Sequence, residues 1–221
     1  MKYLILDIET CNLDMKAEGL EFSNPDGWRT ACVSIYDIWD GEPYSSAVDQ
    51  HFVSDPEQLV AHDSKLATYS LLPLKHLAEA LTRYYDSGYI LVTKNGFNFD
   101  LPILCKPLDE GGADARSIIN IFEMDNRHID ICRLLTEKYG YRFSLQNLVK
   151  AVVGEEESKT MNAAFAPVEW DAKNYRSVID YCLHDCYLTA RVFFEAPKKP
   201  FVCNGYNGTR RSNIEIRAPW P

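Results

Sequence analysis

Short apolar segments separated by polar turns predict the β-strands of this chain. Residues 2–8 are mostly apolar, which is typical of a buried strand. Residues 31–39 and 44–53 alternate apolar and polar positions on either side of the turn residues 40–43, so they predict a hairpin of two further strands. Residues 89–93 form another short apolar strand. All four predicted strands lie in the first half of the chain.

Apolar residues at helical spacing predict the helices. Asp55 suits the N-cap of a helix and Pro56 its first position. Helical patterns cover residues 71–85, a segment that opens at 101–103, and residues 132–139, 144–153 and 172–195. Residues 127–131 predict an edge strand or turn, and the polar residues 154–167 predict a mobile loop. This order of elements predicts an α/β fold, with helices packed on the faces of a mixed sheet.

The composition is that of a globular protein with reduced cysteines. The 221 residues are 46% apolar and 25% charged, which fits one domain with its own core. Apolar runs stop far short of the ~20 residues that cross a bilayer, and Asp7 and Glu9 interrupt the N-terminal run. The seven cysteines are odd in number and scattered, which favours free thiols. We therefore expect a cytoplasmic protein that is neither secreted nor bound to a membrane.

Two acidic residues stand at the end of the first predicted strand. Asp7 and Glu9 share one face of that strand, and such a pair can bind a divalent cation. Asp-x-Glu occurs again at residues 40–42 and 55–57, and about one occurrence is expected by chance. Those two fit a turn and a helix cap. Only the first follows a buried strand, where two carboxylates without a counter-ion would be costly.

Two later segments carry further candidate residues. Asp100 lies between a strand and a helix, where the role of a helix N-cap would explain it, and Asn95 suits a tight turn. Tyr181 and Asp185 stand four residues apart on the longest predicted helix, so the phenol and the carboxylate can point toward one site. Each segment alone has a structural explanation. The combination is more specific than any of its parts.

The order of the three segments resembles the DEDD exonuclease superfamily. An Asp-x-Glu after the first strand, an Asn-x-x-x-Phe-Asp after a later strand and a Tyr-x-x-x-Asp in a late helix follow one another here. More narrowly, the chain resembles the branch with Tyr in the third segment. The sister branch has a His five residues before the last Asp, where this chain has Asp180. The resemblance implies a ribonuclease H-like domain over residues 1–196, with a mixed sheet flanked by helices.

The resemblance also implies a site for two divalent metal ions, Mg²⁺ or Mn²⁺. The metal ligands would be four acids, and Tyr181 would position or deprotonate the attacking water. Those acids are Asp7, Glu9, Asp100 and Asp185. Two such ions can activate water and stabilise a leaving 3′ oxygen. The implied activity is a 3′→5′ exonuclease that hydrolyses phosphodiester bonds at the 3′ end of a single strand, with DNA favoured over RNA.

Substrate contacts follow from the same resemblance. The main chain near Ile8 and Thr10 would touch the terminal nucleotide. Asn95 and Phe97 are further candidates, because an aromatic face can stack on a base, whereas we expect Phe99 to pack in the core. The expected partners are single-stranded DNA or RNA ends and a polymerase or another replication or repair protein, in the cytoplasm or at the nucleoid. The alternative is a catalytically silent nucleic-acid-binding or polymerase-accessory domain, although such domains usually lose acids that this chain keeps.

The charge is uneven along the chain. A net charge of −9 is unusual for a nucleic-acid protein, but two divalent ions on four carboxylates would reduce it. Residues 197–221 carry a local charge of +4, which leaves −13 for the rest, and they contain Phe201, Tyr206 and Trp220. This basic C-terminal tail either binds a strand of nucleic acid or lies back on the acidic body, with its aromatic rings in surface grooves.

Overall fold

A six-stranded mixed sheet forms the centre of the protein, with strand order β4-β3-β2-β1-β5-β6. The computed structural model describes residues 1–22, 24–39, 47–110, 115–154, 156–157 and 161–221. For residues 106–110 and 115–119 it describes the backbone alone. The strands are β1 (Lys2–Thr10), β2 (Thr30–Trp39), β3 (Val48–Val53), β4 (Leu71–Pro73), β5 (Ile90–Thr93) and β6 (His128–Asp130). The predicted turn at residues 40–43 lies outside the described residues.

The pairing of β1 determines where the site can form. It runs antiparallel to β2 and parallel to β5, and β5 runs parallel to β6. The carboxyl ends of β1, β5 and β6 therefore meet at one edge of the sheet. Ligands commonly bind beyond the carboxyl ends of parallel strands. Asp7 and Glu9 are near the end of β1, and the segment that carries Asp100 follows β5.

The predicted helix at residues 71–85 is only partly correct. Leu71–Pro73 is instead the edge strand β4, which pairs with β3, and helix α2 begins at Leu77. The reason is Pro73, because a residue that precedes proline is pushed out of the helical region and proline lacks the N–H of a ladder. An edge strand accommodates both restrictions.

The helices pack on both faces of the sheet. They are α1 (Pro56–His62), α2 (Leu77–Asp86), α3 (Asp100–Glu110), α4 (Ala115–Met124), α5 (Ile131–Tyr139), α6 (Leu145–Val152), α7 (Ala166–Asp171) and α8 (Tyr175–Glu195). The Asp55 and Ser144 side chains cap α1 and α6 as expected. Part of the predicted loop at 154–167 lies outside the described residues. Its end is ordered structure, because the Asn162 side chain caps a 3₁₀ turn and Pro167 lies in the first turn of α7.

Helix α8 lies across the central strands. The Cys182 thiol donates to the main-chain carbonyl of Asp7 at 3.4 Å, and the Cys186 thiol donates to that of Ser34 at 3.3 Å. Val178 and Val192 are fully buried on the same helix. Burial of such side chains contributes about 1.5–3 kcal/mol each, so α8 is held firmly against β1 and β2. All seven cysteines are free thiols, and in the described ranges no helix has both the length and the apolarity to span a bilayer.

The C-terminal tail folds as a hairpin, β7 (Phe201–Tyr206) and β8 (Arg211–Ile216), in a separate two-stranded sheet. Phe201 and Trp220 are buried against the body, and the Trp220 indole donates to the Phe193 carbonyl at 2.9 Å. Two of the three tail aromatics thus fill grooves of the body, as one alternative predicted. Tyr206 remains exposed.

Candidate active site

Three carboxylates converge where β1 meets α8. Asp7 and Glu9 extend from the same face of β1, and Asp185 comes from α8. One carboxylate oxygen of each lies within 4.8 Å of the other two. Glu9 and Asp185 are buried, and Asp7 is half-buried. Hard divalent cations prefer such an oxygen donor set, so these residues fit a metal ion.

Asp100 lies beside the same strand and lines the same cleft. It is the first residue of α3, and its Oδ1 accepts a hydrogen bond from the main-chain N–H of Ile8 at 3.3 Å. Ile8 stands between Asp7 and Glu9, so Asp100 adjoins the three-carboxylate group without belonging to it. Burial raises the pKa of the Asp100 carboxyl from 3.8 to about 7, and the negative charge of Asp130 adds to the rise. The site therefore holds a carboxyl that is poorly stabilised as an anion in the absence of a cation.

Tyr181 lies one helical turn before Asp185 on α8. Its side chain is buried, yet it reaches the wall of the same cleft as the acids. The i, i+4 spacing predicted this common face. His184 is on a different face, where its ring stacks on Tyr187 with centroids 6.0 Å apart.

A carboxylate outside the site holds the loop that leads to Asp100. Asp130 accepts hydrogen bonds from the main-chain N–H groups of Asn95 at 3.0 Å and Phe97 at 2.8 Å, and it caps α5 through Arg133 N–H at 3.0 Å. Asn95 has a left-handed backbone with φ 72°, and a Cβ at Gly96 would lie 2.5 Å from Thr93. Asp130 ends the short strand β6 and is the N-cap of α5, and its hydrogen bonds to the loop were not predicted.

The acids line a wide cleft of about 1170 Å³. Ile8, Thr10 and Asn95 also line it, and their role as substrate contacts stays a prediction. Phe97 does not line the cleft, although its ring is 42% exposed and contacts the guanidinium of Arg133 at 4.3 Å.

An aromatic wall on the cleft, formed by Phe22, Trp28 and Phe99, was not predicted. Ring centroids lie 5.1–5.6 Å apart, and Phe22 is 66% exposed. Phe99, expected in the core, is only half-buried and lines the cleft. Lys16 and Lys94 add two cations. Phe22 and Trp28 come from one loop and Phe99 from another, and only the tertiary fold brings the two loops together, so the sequence carried no signal for the wall.

The loop that carries Phe22 and Trp28 is held by Asn12. This buried side chain donates to Glu18 at 2.6 Å and to the Gly27 carbonyl at 3.1 Å, and it accepts from Arg29 N–H at 2.7 Å. The bonds tie the beginning of the segment between β1 and β2 to its end. The aromatic wall is therefore a built part of the cleft.

No family model and no curated protein sequence matches this chain. Its fold is similar to part of a family B DNA polymerase from the hyperthermophilic archaeon Pyrobaculum calidifontis, with a TM-score of 0.56, 12% identity, and coverage of 87% of this chain and 24% of that one. It is also similar to exonuclease I of E. coli in a zinc-bound complex with single-stranded DNA, with a TM-score of 0.50, 13% identity, and coverage of 89% and 40%. This chain thus spans less than half of either protein. The likeness confirms the predicted ribonuclease H-like α/β fold, while the Tyr-type branch stays a prediction.

Proposed function

We propose that this protein is a metal-dependent 3′→5′ exonuclease that removes nucleotides from the 3′ end of a single strand, with DNA preferred to RNA. The observation that carries the proposal is the convergence of Asp7, Glu9 and Asp185 within 4.8 Å in a wide cleft, with Asp100 beside them. Four acids in one place repel one another without cations, so a purely structural role would cost stability.

The acids would hold Mg²⁺ or Mn²⁺ ions, two in number. Asp7, Glu9 and Asp185 form the group that fits one ion, and Asp100 would support a second, directly or through water. Bound ions supply Lewis-acid stabilisation of charge on the phosphate and the leaving oxygen.

The protein's own groups would position the reactants. Tyr181 is fixed by burial on α8 and would orient the attacking water with its phenol. The main chain of Ile8 and Thr10 would contact the terminal nucleotide, and Asn95 would border it. Phe97 is the weakest of these candidates, because it does not line the cleft.

The aromatic wall and the lysines suit a single strand. Aromatic rings stack on any base, so Phe22 at the rim would bind without reading sequence. Lys16 and Lys94 would pair with phosphates and offset the acidic charge of the cleft. The similarity to part of a DNA polymerase supports a polymerase, or another replication protein, as a partner.

A labelled-strand assay tests the proposal. Single-stranded DNA and RNA with a 5′ label would be incubated with the protein and Mg²⁺ or Mn²⁺, and a ladder that shortens from the 3′ end is expected. An Asp7→Asn variant and a strand with a blocked 3′ end should give no ladder. Binding without cleavage by the wild-type protein would instead establish the silent-domain alternative.

A further inference from the structure

The outer face of the C-terminal hairpin carries a row of cations around an aromatic ring, formed by Arg142, Tyr206 and Arg211. Tyr206 pairs with Arg211 across the hairpin, and on its other side it pairs with Arg142 through two main-chain hydrogen bonds of 2.8 and 2.9 Å. Side chains of directly paired residues in antiparallel strands extend to the same face. All three residues are exposed, and Tyr206 is 46% exposed. We refer to them as the arginine row.

The C-terminal tail is basic, whereas the rest of the protein is acidic. The tail has a local charge of +4 on a body of −13. Its one acid, Glu215, pairs with Val202 at the open end of the hairpin, whereas the arginine row lies at the turn end with Arg210 beside it. A polyanion would therefore meet the tail at the row.

One end of the row, Arg142, lies near the cleft. Arg142 is two residues before Ser144, which lines the cleft, so their Cα atoms are at most about 7.6 Å apart. The first residue of α6, Leu145, and its neighbour Gln146 also line the cleft. The Asn147 side chain ties α6 to β7 through the Asn204 carbonyl at 2.8 Å. A strand that leaves the cleft beside Ser144 would therefore come close to Arg142.

The hairpin is a fixed platform for such a strand. Phe201, Cys203, Ile216 and Trp220 are buried in one core cluster with α6 and α8. Gly205 packs so closely on Phe143 that a Cβ there would lie 2.6 Å from its ring. Deletion of the tail would remove part of the core, so point substitutions on the exposed face are the sharper probe.

We propose that the arginine row binds the single strand on the 5′ side of the nucleotides held in the cleft. The direction of the strand rests on the proposed function, which places the 3′ end in the cleft. Arg142 and Arg211 each pair with a phosphate, and the Tyr206 ring stacks on a base between them. The occupant is a single strand because a ring flanked by two cations matches the alternation of bases and phosphates.

Fluorescence anisotropy with labelled oligo-dT tests this inference. A strand of about 20 nucleotides can reach the row, and a strand of about 4 nucleotides is too short to leave the cleft. The titrations are run in EDTA, so that they do not depend on cleavage. The double variant Arg142→Gln/Arg211→Gln should lower the slope of log affinity against log salt by roughly 1.4 for the long strand, which is roughly a 25-fold loss at about 0.1 M salt. Binding of the short strand should not change.

Three further variants separate the row from simple charge. Lys198→Gln/Lys199→Gln makes the same charge change in the exposed segment before β7 and should leave most of the slope intact. Arg142→Lys/Arg211→Lys should keep the wild-type slope, and Tyr206→Leu should weaken long-strand binding several-fold without changing the slope. Melting temperatures near the wild-type value confirm that each variant folds.

The inference would be overturned if Arg142→Gln/Arg211→Gln left the salt slope unchanged. It would also be overturned if Lys198→Gln/Lys199→Gln lowered the slope by the same amount. The labelled-strand assay is read separately. Cleavage by a wild-type protein whose row variants bind normally would refute the row and leave the proposed function standing. If the row variants lose binding of the long strand but the wild-type protein does not cleave, the row stands and the proposed function is refuted.

Discussion

Replacement of Asp100 by Asn should make the metal-free protein more stable at high pH, and it should abolish the activity that is measured with metal at every pH. Asn has nearly the same shape as Asp and no charge, and its side-chain oxygen can still accept the hydrogen bond from Ile8 N–H, now 3.3 Å long. The substitution therefore removes the ionisation of one carboxyl with little change in packing. Activity is expected to disappear because an amide binds a cation more weakly than a carboxylate does.

The magnitude follows from the pKa of Asp100. Burial raises it from 3.8 to about 7, so the folded state holds a proton that the unfolded state releases. Stability from this group is fully present below pH 3.8 and is lost as the pH rises toward 7. At about 1.36 kcal/mol per pH unit, the loss is on the order of 4 kcal/mol. Above pH 7 the Asn variant should be more stable than the wild type by an amount of this order.

Urea unfolding in EDTA between pH 4.5 and pH 8.5 measures the effect. The free energy of unfolding of the wild type minus that of Asp100→Asn should become more negative as the pH rises and should level off above about pH 7. The difference cancels other titrating groups that the two proteins share. Asp171→Asn, at an exposed position at the end of α7, is the matched control and should show no such trend.

A difference that stays flat with pH would refute this reasoning, because Asp100 would then ionise alike in both states. If the difference in free energy of unfolding instead became more positive as the pH rises, hydrogen bonds from main-chain N–H groups would lower the pKa of Asp100 more than burial raises it. Addition of Mg²⁺ gives a second check. It should stabilise the wild type more than the Asn variant, since only the wild type offers a fourth carboxylate to a cation.

Three other substitutions test separate parts of the site. Asp7→Ala should abolish Mn²⁺ binding in calorimetry, and full binding would contradict the assignment of the acids. Tyr181→Phe should slow single-turnover cleavage by about 10²–10⁴-fold while metal titration is unchanged, and a wild-type rate would exclude its phenol from the reaction. Phe22→Ala should weaken single-strand binding by about 1–3 kcal/mol. Trp39 is an exposed ring at the end of β2, beside Lys2 at the start of β1, and Trp39→Ala should leave single-strand binding unchanged. Equal losses in the two variants would argue against stacking on the wall.

The fold was predictable because most of its elements follow from local rules. Period-two patterns located β2 and β3, and caps at Asp55 and Ser144 located two helix starts. The failures were also local. Pro73 made an edge strand of the beginning of a helical pattern, and Pro167, the last residue of the segment predicted as a loop, lies in the first turn of α7. Proline restricts the backbone in both settings, and only tertiary pairing decides between them.

The site was predictable only where its chemistry lies on single elements. Asp7 and Glu9 share a strand face and Tyr181 and Asp185 share a helix face, so spacing alone brought each pair together. Asp130 shows the limit of this reasoning. Its sequence context fits a strand residue or a helix cap, and it is both, but the same carboxylate also fixes the loop before Asp100 through two main-chain N–H groups. That second role depends on β6 lying beside β5, a pairing that no local pattern encodes. The precision of the acidic site thus rests on a residue outside it.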